Sequence, residues 1–279
     1  QLLSEDFSEK RIVLIVYRPF DWRFVYFCDF LRRAHESVMK HMLNENLALV
    51  STRQVTEPPF NHVMVSGCVA EYKAVSTNRN SYIFPLYLYT TPGDTAGTLF
   101  AAQEVTREPN LSQKFIAAVK QRLHLPFVPD GQANLTTAFG PEDVFHYAYA
   151  ILHSPTYRER YAEFLKIDFP RLPLTSDRVL FKALNEKGEQ LAALHLLESP
   201  KVSQFITHYP VPGDHRVKRG HPKYLAPGDP EPGTGEPLEQ GRVYINKEQY
   251  FEGIPPDVWE FQVGGYQVLH KWLKDRKGR

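Results

Sequence analysis

The sequence is poor in the features that mark secreted, disulfide-stabilised and membrane proteins. Only two of its 279 residues are cysteines, Cys28 and Cys68. Two cysteines are too few for a disulfide framework, so a reducing cytoplasm is the predicted compartment. No apolar run approaches the roughly 18 residues that a membrane-spanning helix needs, and no N-terminal signal peptide is present. Both cysteines lack a metal-ligand partner at short spacing and are interpreted as core residues.

A strong excess of either charge is also absent, since the net charge is only +1. Local clusters are therefore more informative than the sum. Residues 201–223 carry five Lys or Arg against one acid, Asp214, and residues 32–41 form a second basic run opposed only by Glu36. In contrast, residues 227–239 carry four acids and no base, so we expect phosphate to repel that loop.

With 42% hydrophobic residues the chain can bury a substantial core, and its patterns predict an α+β fold. We predict a mixed, largely antiparallel twisted sheet built from both ends of the chain, with a central helical hairpin and further helices packed on it. A subdivision would give a β-rich part at 1–110, a helical part at 111–200, and β-hairpins plus a terminal helix at 201–279. Whether residues 1–279 form one domain or two stays open.

The spacing of apolar residues, alternating in strands and helical in helices, predicts the individual elements. Strands are predicted at 11–16, 24–28, 47–51, 62–65, 82–89, 202–209, 216–224, 242–246 and 249–251. Helices are predicted at 34–43 and 111–123, from Pro141, from Ser154-Pro155, from Ser176-Asp177 to Leu197 with a break at Gly188, and at 266–274. Residues 90–109 are rich in Thr, Gly and Pro and are predicted to be a loop.

Three longer segments carry a resemblance to a known family. They are YRPFDWRFVY at 17–26, the helical block at 142–174, and GRVYINKEQYFEG at 241–253. Together with FPLYLY at 84–89 and the C-terminal stretch VWEFQVGGYQVLHKWLKDRKGR, they resemble the C-terminal specificity region of type ISP and related type IIG single-chain restriction–modification enzymes. The resemblance extends from Tyr17 to about Trp272.

The resemblance implies a target recognition domain, residues 1–279, that is a fragment of a larger protein. Its partners would be double-stranded DNA and an adenine-specific methyltransferase domain of the same polypeptide. S-adenosylmethionine would bind in that other domain, so no cofactor, metal or catalytic residue is expected in this fragment. The alternative is a protein–protein docking scaffold between the methyltransferase and other domains, with only incidental DNA contact.

The residues themselves offer no complete catalytic site. Glu57-Pro58-Pro59-Phe60 resembles the loop with which amino-methyltransferases grip a flipped base. Its Glu is one methylene too long, however, and no Gly-rich turn for the cofactor precedes it. Pro129-Asp130 and Pro256-Asp257 each start a nuclease-like metal motif, but neither is followed by the second carboxylate and lysine. The Pro-Pro stretch is interpreted as a rigid loop between two strands, and neither Pro-Asp pair is interpreted as a nuclease site.

Two polar stretches are the candidates for reading bases. Arg53 and Gln54 follow a strand, and Asn78, Arg79 and Asn80 lie in a polar tract between two apolar strands. Arg pairs with guanine, and Asn or Gln with adenine, through two hydrogen bonds. The alternative for both stretches is an ordinary solvated loop.

The basic clusters are the candidates for contacting the DNA backbone. The residues assigned to this role are Arg32, Arg33, Lys40, Arg216, Lys218, Arg219 and Lys223. Ordinary solvated faces are the competing explanation. For Arg18 we favour a structural role, a buried pair with Asp21 that locks the end of the first strand against Trp22. Recognition would gain support if Arg53, Gln54, Arg79 and Asn80 faced the same concave side as Lys218 and Arg219.

Overall fold

A computed structural model describes residues 7–28, 36–56, 59–90 and 106–278. The α+β class is confirmed, because 32% of the chain is helical and 23% is in strands that are mostly antiparallel. The strands are distributed over several small sheets, and in the described ranges no sheet joins strands from both ends of the chain, as the single predicted sheet would.

The described elements follow the predicted succession of a strand-rich first part, a helical middle and strands near the end. The strands are β1 (Ile12–Arg18), β2 (Asp21–Tyr26), β3 (Ala48–Thr52), β4 (Val63–Ser66), β5 (Val69–Ala70), β6 (Ser81–Pro85), β7 (Tyr87–Thr90), β8 (Thr106–Pro109), β9 (Lys223–Leu225), β10 (Arg242–Tyr244), β11 (Tyr250–Glu252), β12 (Gln262–Val263) and β13 (Tyr266–Gln267). The helices are α1 (Glu36–Met39), α2 (Gln113–Leu123), α3 (Pro141–His153), α4 (Pro155–Arg160), α5 (Ala162–Ile167), α6 (Arg178–His195), α7 (Pro256–Trp259) and α8 (Val268–Lys274).

The first third of the chain forms three small sheets. Their strand orders are β2-β1-β5, β4-β3-β6 and β7-β8. Strand β3 lies in the middle of its sheet and pairs antiparallel with both neighbours. Its apolar side chains are buried on both faces, with Val50 in one core cluster and Leu49 packed against another. This sheet is therefore the platform on which the surrounding loops rest.

The helices begin where the sequence supplies capping oxygens. The side chains of Ser112, Ser154 and Asp177 accept backbone hydrogen bonds at the starts of α2, α4 and α6, which satisfies donors that would otherwise lack partners. Helices α3 and α6 pack along each other. The core clusters around α3 include Phe145 and Tyr149 on one side and Tyr147 on the other.

The predicted break at Gly188 is wrong, because α6 continues through it. A Cβ atom at Gly188 would lie 1.8 Å from the carbonyl oxygen of His146. The glycine therefore permits close contact between α3 and α6 and does not interrupt the helix. Its buried position within a continuous helix shows that packing, and not chain flexibility, explains its presence.

Several predicted element boundaries also differ from the structure. Residues 202–209 contain only the end of a 3-10 helix (Pro200–Ser203) and an isolated bridge in place of a strand. Of 216–224 only the end belongs to a strand, β9. The stretch 82–89 is divided between β6 and β7, and part of the predicted loop forms β8, which pairs with β7. The helix after Ser154 is divided into α4 and α5.

The predicted Arg18–Asp21 pair is wrong in its partners. Arg18 forms an ion pair with Glu71, whereas Asp21, which is 1% exposed, binds Arg23 and Arg276, each at 2.9 Å. Burial alone would raise the pKa of Asp21, but the hydrogen bonds from the two arginines hold it below its usual value. Asp21 thus connects the N-terminal hairpin to the C-terminal residues after α8.

In the described ranges, no helix combines the length and apolar character needed to cross a membrane.

Candidate nucleic-acid interface

The register of one strand pair brings both candidate reading stretches to the same end of a sheet. In the antiparallel β3–β6 pair, Thr52 at the end of β3 lies opposite Ser81 at the start of β6. Arg53 and Gln54, which follow β3, are therefore placed beside residues 76–80, which precede β6. Neither stretch needs a long loop to reach the other.

A solvent-open cleft of about 310 Å³ lies between these two stretches. Its lining contains all five residues predicted to read bases, together with one aromatic ring: Arg53, Gln54, Asn78, Arg79, Asn80 and Tyr82. All of them are exposed. Within the described part of the chain, the side chains of Gln54, Arg79 and Asn80 make no hydrogen bond or ion pair. Their donors and acceptors therefore remain open to a ligand.

Hydrogen bonds fix the backbone of the loop that carries Arg79 and Asn80. The Oγ of Ser76, a fully buried residue, accepts the backbone N–H of Arg79 at 2.9 Å. The backbone N–H of Val75 donates to Ser81 Oγ at 3.0 Å. The amide of Asn78 donates to Thr56 Oγ1 at 2.8 Å, which links the two sides of the cleft.

A hairpin from the C-terminal part of the chain supports the same loop from behind. The backbone N–H of Thr77 donates to the carbonyl of Gly264 at 3.2 Å, and the hydroxyl of Tyr266 lies 3.1 Å from the carbonyl oxygen of Ser76. Gly264 has φ +60°, and a Cβ there would lie 1.9 Å from the carbonyl oxygen of Val75. Only glycine fits at this turn between β12 and β13.

Besides Tyr82 in the lining, sequence reasoning missed Asp168, which lies beside the cleft. Its carboxylate accepts a hydrogen bond from Arg53 Nε at 2.9 Å, which lowers the pKa of Asp168. The next residue, Phe169, makes edge contacts with Tyr82 and Phe84 at ring-centroid distances of 5.1 and 5.4 Å. Asp168 follows a helix and is 115 positions from Arg53, so no local pattern could reveal the pair.

The predicted backbone-contacting residues are spread over separate elements. Lys40 lies in the short 3-10 helix after α1. Arg216, Lys218 and Arg219 lie in the irregular segment before β9, which starts at Lys223. Lys218 Nζ forms an ion pair with Asp214 at 2.5 Å. Arg32 and Arg33 lie outside the described residues. The ion-pair partner of Lys218 is thus a neighbour in its own segment and not a residue of the cleft.

The remaining chemical candidates from the sequence are the Pro-Pro loop and the two Pro-Asp pairs. In the described ranges no three His, Cys, Asp or Glu residues lie close enough to hold a metal ion. Glu57 and Pro58 lie outside the described residues, but Phe60 is buried in the core and cannot stack on a base.

The acidic loop at 227–239 folds back onto the C-terminal sheet. Glu231 forms an ion pair with Arg242 of β10, and Thr234 donates to the Glu231 carboxylate at 3.1 Å. Part of its negative charge is therefore balanced within the protein.

The whole chain, residues 1–279, matches the family model of the Type ISP C-terminal specificity domain. The chain belongs to this family, which confirms the resemblance of the sequence motifs. A search of curated proteins finds no match.

Solved structures share the fold over nearly the whole chain. The cryoEM structure of the DrdV–DNA complex has a TM-score of 0.70 and 23% identity, and covers 99% of this chain and 25% of that chain. The ATP-dependent Type ISP restriction–modification enzyme LlaBIII bound to DNA has a TM-score of 0.68 and 19% identity, and the match covers 98% of this chain and 16% of that chain. A nuclease-deletion mutant of the Type ISP enzyme LlaGI with a DNA substrate mimic has a TM-score of 0.62 and 22% identity, and the match covers 98% of this chain and 18% of that chain. The chain thus spans a quarter or less of each matched protein.

Proposed function

We propose that this chain recognises a specific sequence of duplex DNA for the methyltransferase and nuclease of a single-chain restriction–modification enzyme. Membership in the Type ISP specificity family supports this role, as does the presence of DNA in the structures that share the fold. In this proposal S-adenosylmethionine binds in a methyltransferase domain outside the chain, and the protein works in the cytoplasm.

The single observation that carries the proposal is the convergence of five polar side chains in one open cleft. Arg, Asn and Gln are the side chains whose paired donors and acceptors distinguish base edges in the major groove. Their loop is tied to the β3–β6 sheet and to the β12–β13 hairpin, so little conformational entropy is lost when a base edge is bound. A merely solvated loop would not need this support.

The basic segment before β9 would supply sequence-independent contacts to phosphates. Arg216, Lys218 and Arg219 lie on a surface segment, and phosphate contacts position a protein on DNA without reading its sequence. These phosphate contacts would supply affinity for any duplex DNA, while the cleft would determine which base sequence is preferred.

Methylome sequencing of cells that express the full-length protein tests the proposal. We expect adenine methylation at one defined motif, and a changed or relaxed motif for Arg79→Ala or Asn80→Ala. Lys182→Ala, an exposed site on α6, is the matched control and should leave the motif unchanged. Methylation that is lost evenly, or a motif unaffected by every cleft variant, would contradict base reading by this cleft.

Docking between domains is the second candidate function, and an exposed apolar face favours it. On the β1–β2 hairpin, Leu14 lies opposite Phe24, and Phe24 is 75% exposed. Exposed apolar patches of this kind often mark protein interfaces. If Phe24→Ser weakened the binding of this chain to a methyltransferase domain supplied as a separate polypeptide, while cleft variants had no effect on DNA binding, docking would replace recognition.

A further inference from the structure

We infer that Arg53 and Asp168 act as one unit that reads a single G·C base pair, with Arg53 binding the guanine and Asp168 binding the cytosine. The inference rests on the proposed function and deepens it, because it assigns one base pair to one pair of residues. It also adds a specificity-determining residue, Asp168, that the sequence patterns did not single out.

The first step is the geometry of the pair. Arg53 donates from Nε to Asp168 Oδ1 at 2.9 Å, which leaves both terminal guanidinium nitrogens, Nη1 and Nη2, without a partner in the described part of the chain. A carboxylate has about four sites for accepting hydrogen bonds, so Asp168 retains acceptor capacity. Arg53 lines the cleft, and its hydrogen bond places the Asp168 carboxylate beside it.

The second step is that the pair is poorly placed to serve stability alone. The side chains of Arg53 and Asp168 are 59% and 52% exposed, and ion pairs at such exposure contribute little to folding. Asp168 is nevertheless firmly held, since Phe169 packs edge-on against the rings of Tyr82 and Phe84. A rigidly placed, exposed ion pair is suited to binding a ligand.

The third step is the hydrogen-bonding pattern of the bases. In the major groove guanine presents two acceptors, N7 and O6, and its cytosine partner presents a donor, the N4 amino group. Nη1 and Nη2 of Arg53 can donate to the guanine acceptors, while the Asp168 carboxylate accepts from N4 of the paired cytosine. Donor therefore meets acceptor on both bases of the pair.

An A·T pair is rejected by the same arrangement. Adenine places an amino donor where Arg53 requires an acceptor, and thymine places the O4 acceptor where Asp168 requires a donor. A carboxylate near DNA phosphates is unfavourable unless it accepts from an amino group. The negative charge of Asp168 thus contributes to discrimination, because an unmatched base leaves it without a donor.

Selection of bound duplexes from a pool with a randomised segment tests the inference. Wild type, Arg53→Ala, Asp168→Ala and Asp168→Asn are compared by sequencing the bound fraction at low salt. We expect one G·C position whose preference falls about tenfold or more in Arg53→Ala and in Asp168→Ala, with all other positions unchanged. Asp168→Asn should also lose preference there, because the charge and one acceptor are removed while the shape is kept.

The matched control is Glu163→Gln, which removes the exposed ion pair between Glu163 and Lys166 at 2.6 Å. Both residues lie on α5, the helix that directly precedes Asp168. This variant should leave every position unchanged, and unfolding curves should show all variants folded. If Asp168→Ala leaves the motif intact while Arg79→Ala or Asn80→Ala changes it, this inference is wrong and the proposed function survives. If wild type selects no sequence at all, the proposed function fails and this inference fails with it.

Discussion

The cleft at the end of β3 and the basic segment before β9 were both candidates for contacting DNA, and their structures differ. Around the cleft, loop residues are joined to a buried sheet and to a C-terminal hairpin by hydrogen bonds. In the basic segment, residues 202–222 form almost no regular strand, and Lys218 is paired with Asp214. The basic segment is also anchored, since the backbone N–H of Lys218 donates to the Ile245 carbonyl at 2.9 Å and Val217 is buried. The comparison teaches that the side chains make the difference: two-pronged amide and guanidinium groups gathered in one cleft suit sequence reading, whereas cations along an exposed irregular segment suit sequence-independent attraction to phosphate.

The largest effect is expected from breaking the support behind the cleft. In Gly264→Ala the new Cβ would meet the carbonyl oxygen of Val75 at 1.9 Å, at φ +60°. Overpacking and backbone strain together should reduce the free energy of unfolding by about 2–4 kcal/mol. Denaturant unfolding measures this loss, and duplex selection should show weakened sequence preference.

Gly233→Ala is the matched control for that substitution. Gly233 also has positive φ, +99°, but nothing lies within 4 Å of its Cβ position. It should therefore report backbone strain alone, about 1 kcal/mol. Equal losses in the two variants would show that the hairpin does not support the cleft by close contact.

Replacing single residues of the cleft should have the next largest effect. Alanine at Gln54, Arg79 or Asn80 should relax one position of the recognised sequence, at a cost of roughly 1–3 kcal/mol for that base pair. Methylome sequencing of the full-length protein measures this. If efficiency falls evenly without any change of motif, the cleft contacts the backbone. Base reading would then lie in the segment around His215 to His221, and the cleft and the basic segment would exchange their proposed roles.

Acid should destabilise the platform beneath the cleft. His62, directly before β4, has its pKa lowered to about 4 by burial and by the nearby charge of Arg158. An unfolded histidine with the usual pKa of about 6.5 takes up a proton first. The contribution of neutral His62 to the free energy of unfolding is therefore fully present above pH 6.5, and it is lost as the pH falls toward 4.

Between pH 7.5 and 5.5 the contribution of His62 should amount to about 1 kcal/mol. Urea unfolding at both pH values measures it, and His62→Gln should reduce the pH dependence by that amount. His208→Gln, which changes an exposed histidine, should not. An unchanged pH dependence in His62→Gln would mean that the buried histidine is not a source of the acid sensitivity.

The smallest effect on stability is expected in the basic segment. Removing Lys218 and Arg219 together should change unfolding by only a few tenths of a kcal/mol. It should weaken binding to all duplexes alike and flatten the slope of log affinity against log salt by about 0.9 for each lost phosphate contact. Asp214→Asn, which frees Lys218, should act in the opposite direction. Unchanged affinity and slope would remove this segment from the DNA interface.

The sequence by itself determined the elements and the class of the protein. Apolar alternation and capping residues such as Ser154 and Asp177 gave most helix and strand positions, because these signals act within a few residues. The polar tract at 76–81 and the Arg53-Gln54 pair could be proposed as a site, since both follow from local composition. The family motifs fixed membership for the same reason, as they are continuous stretches of sequence.

Tertiary structure alone decided which distant residues meet. Asp21 selected Arg23 and Arg276 over Arg18, Gly188 proved to be a packing contact with α3, and Asp168 joined Arg53 across 115 positions. In the segment at 202–222, strand propensity did not produce strands, because a strand forms only where a partner supplies the hydrogen bonds. Ion pairs, close contacts and strand partners depend on the three-dimensional path of the chain, and no local pattern encodes that path.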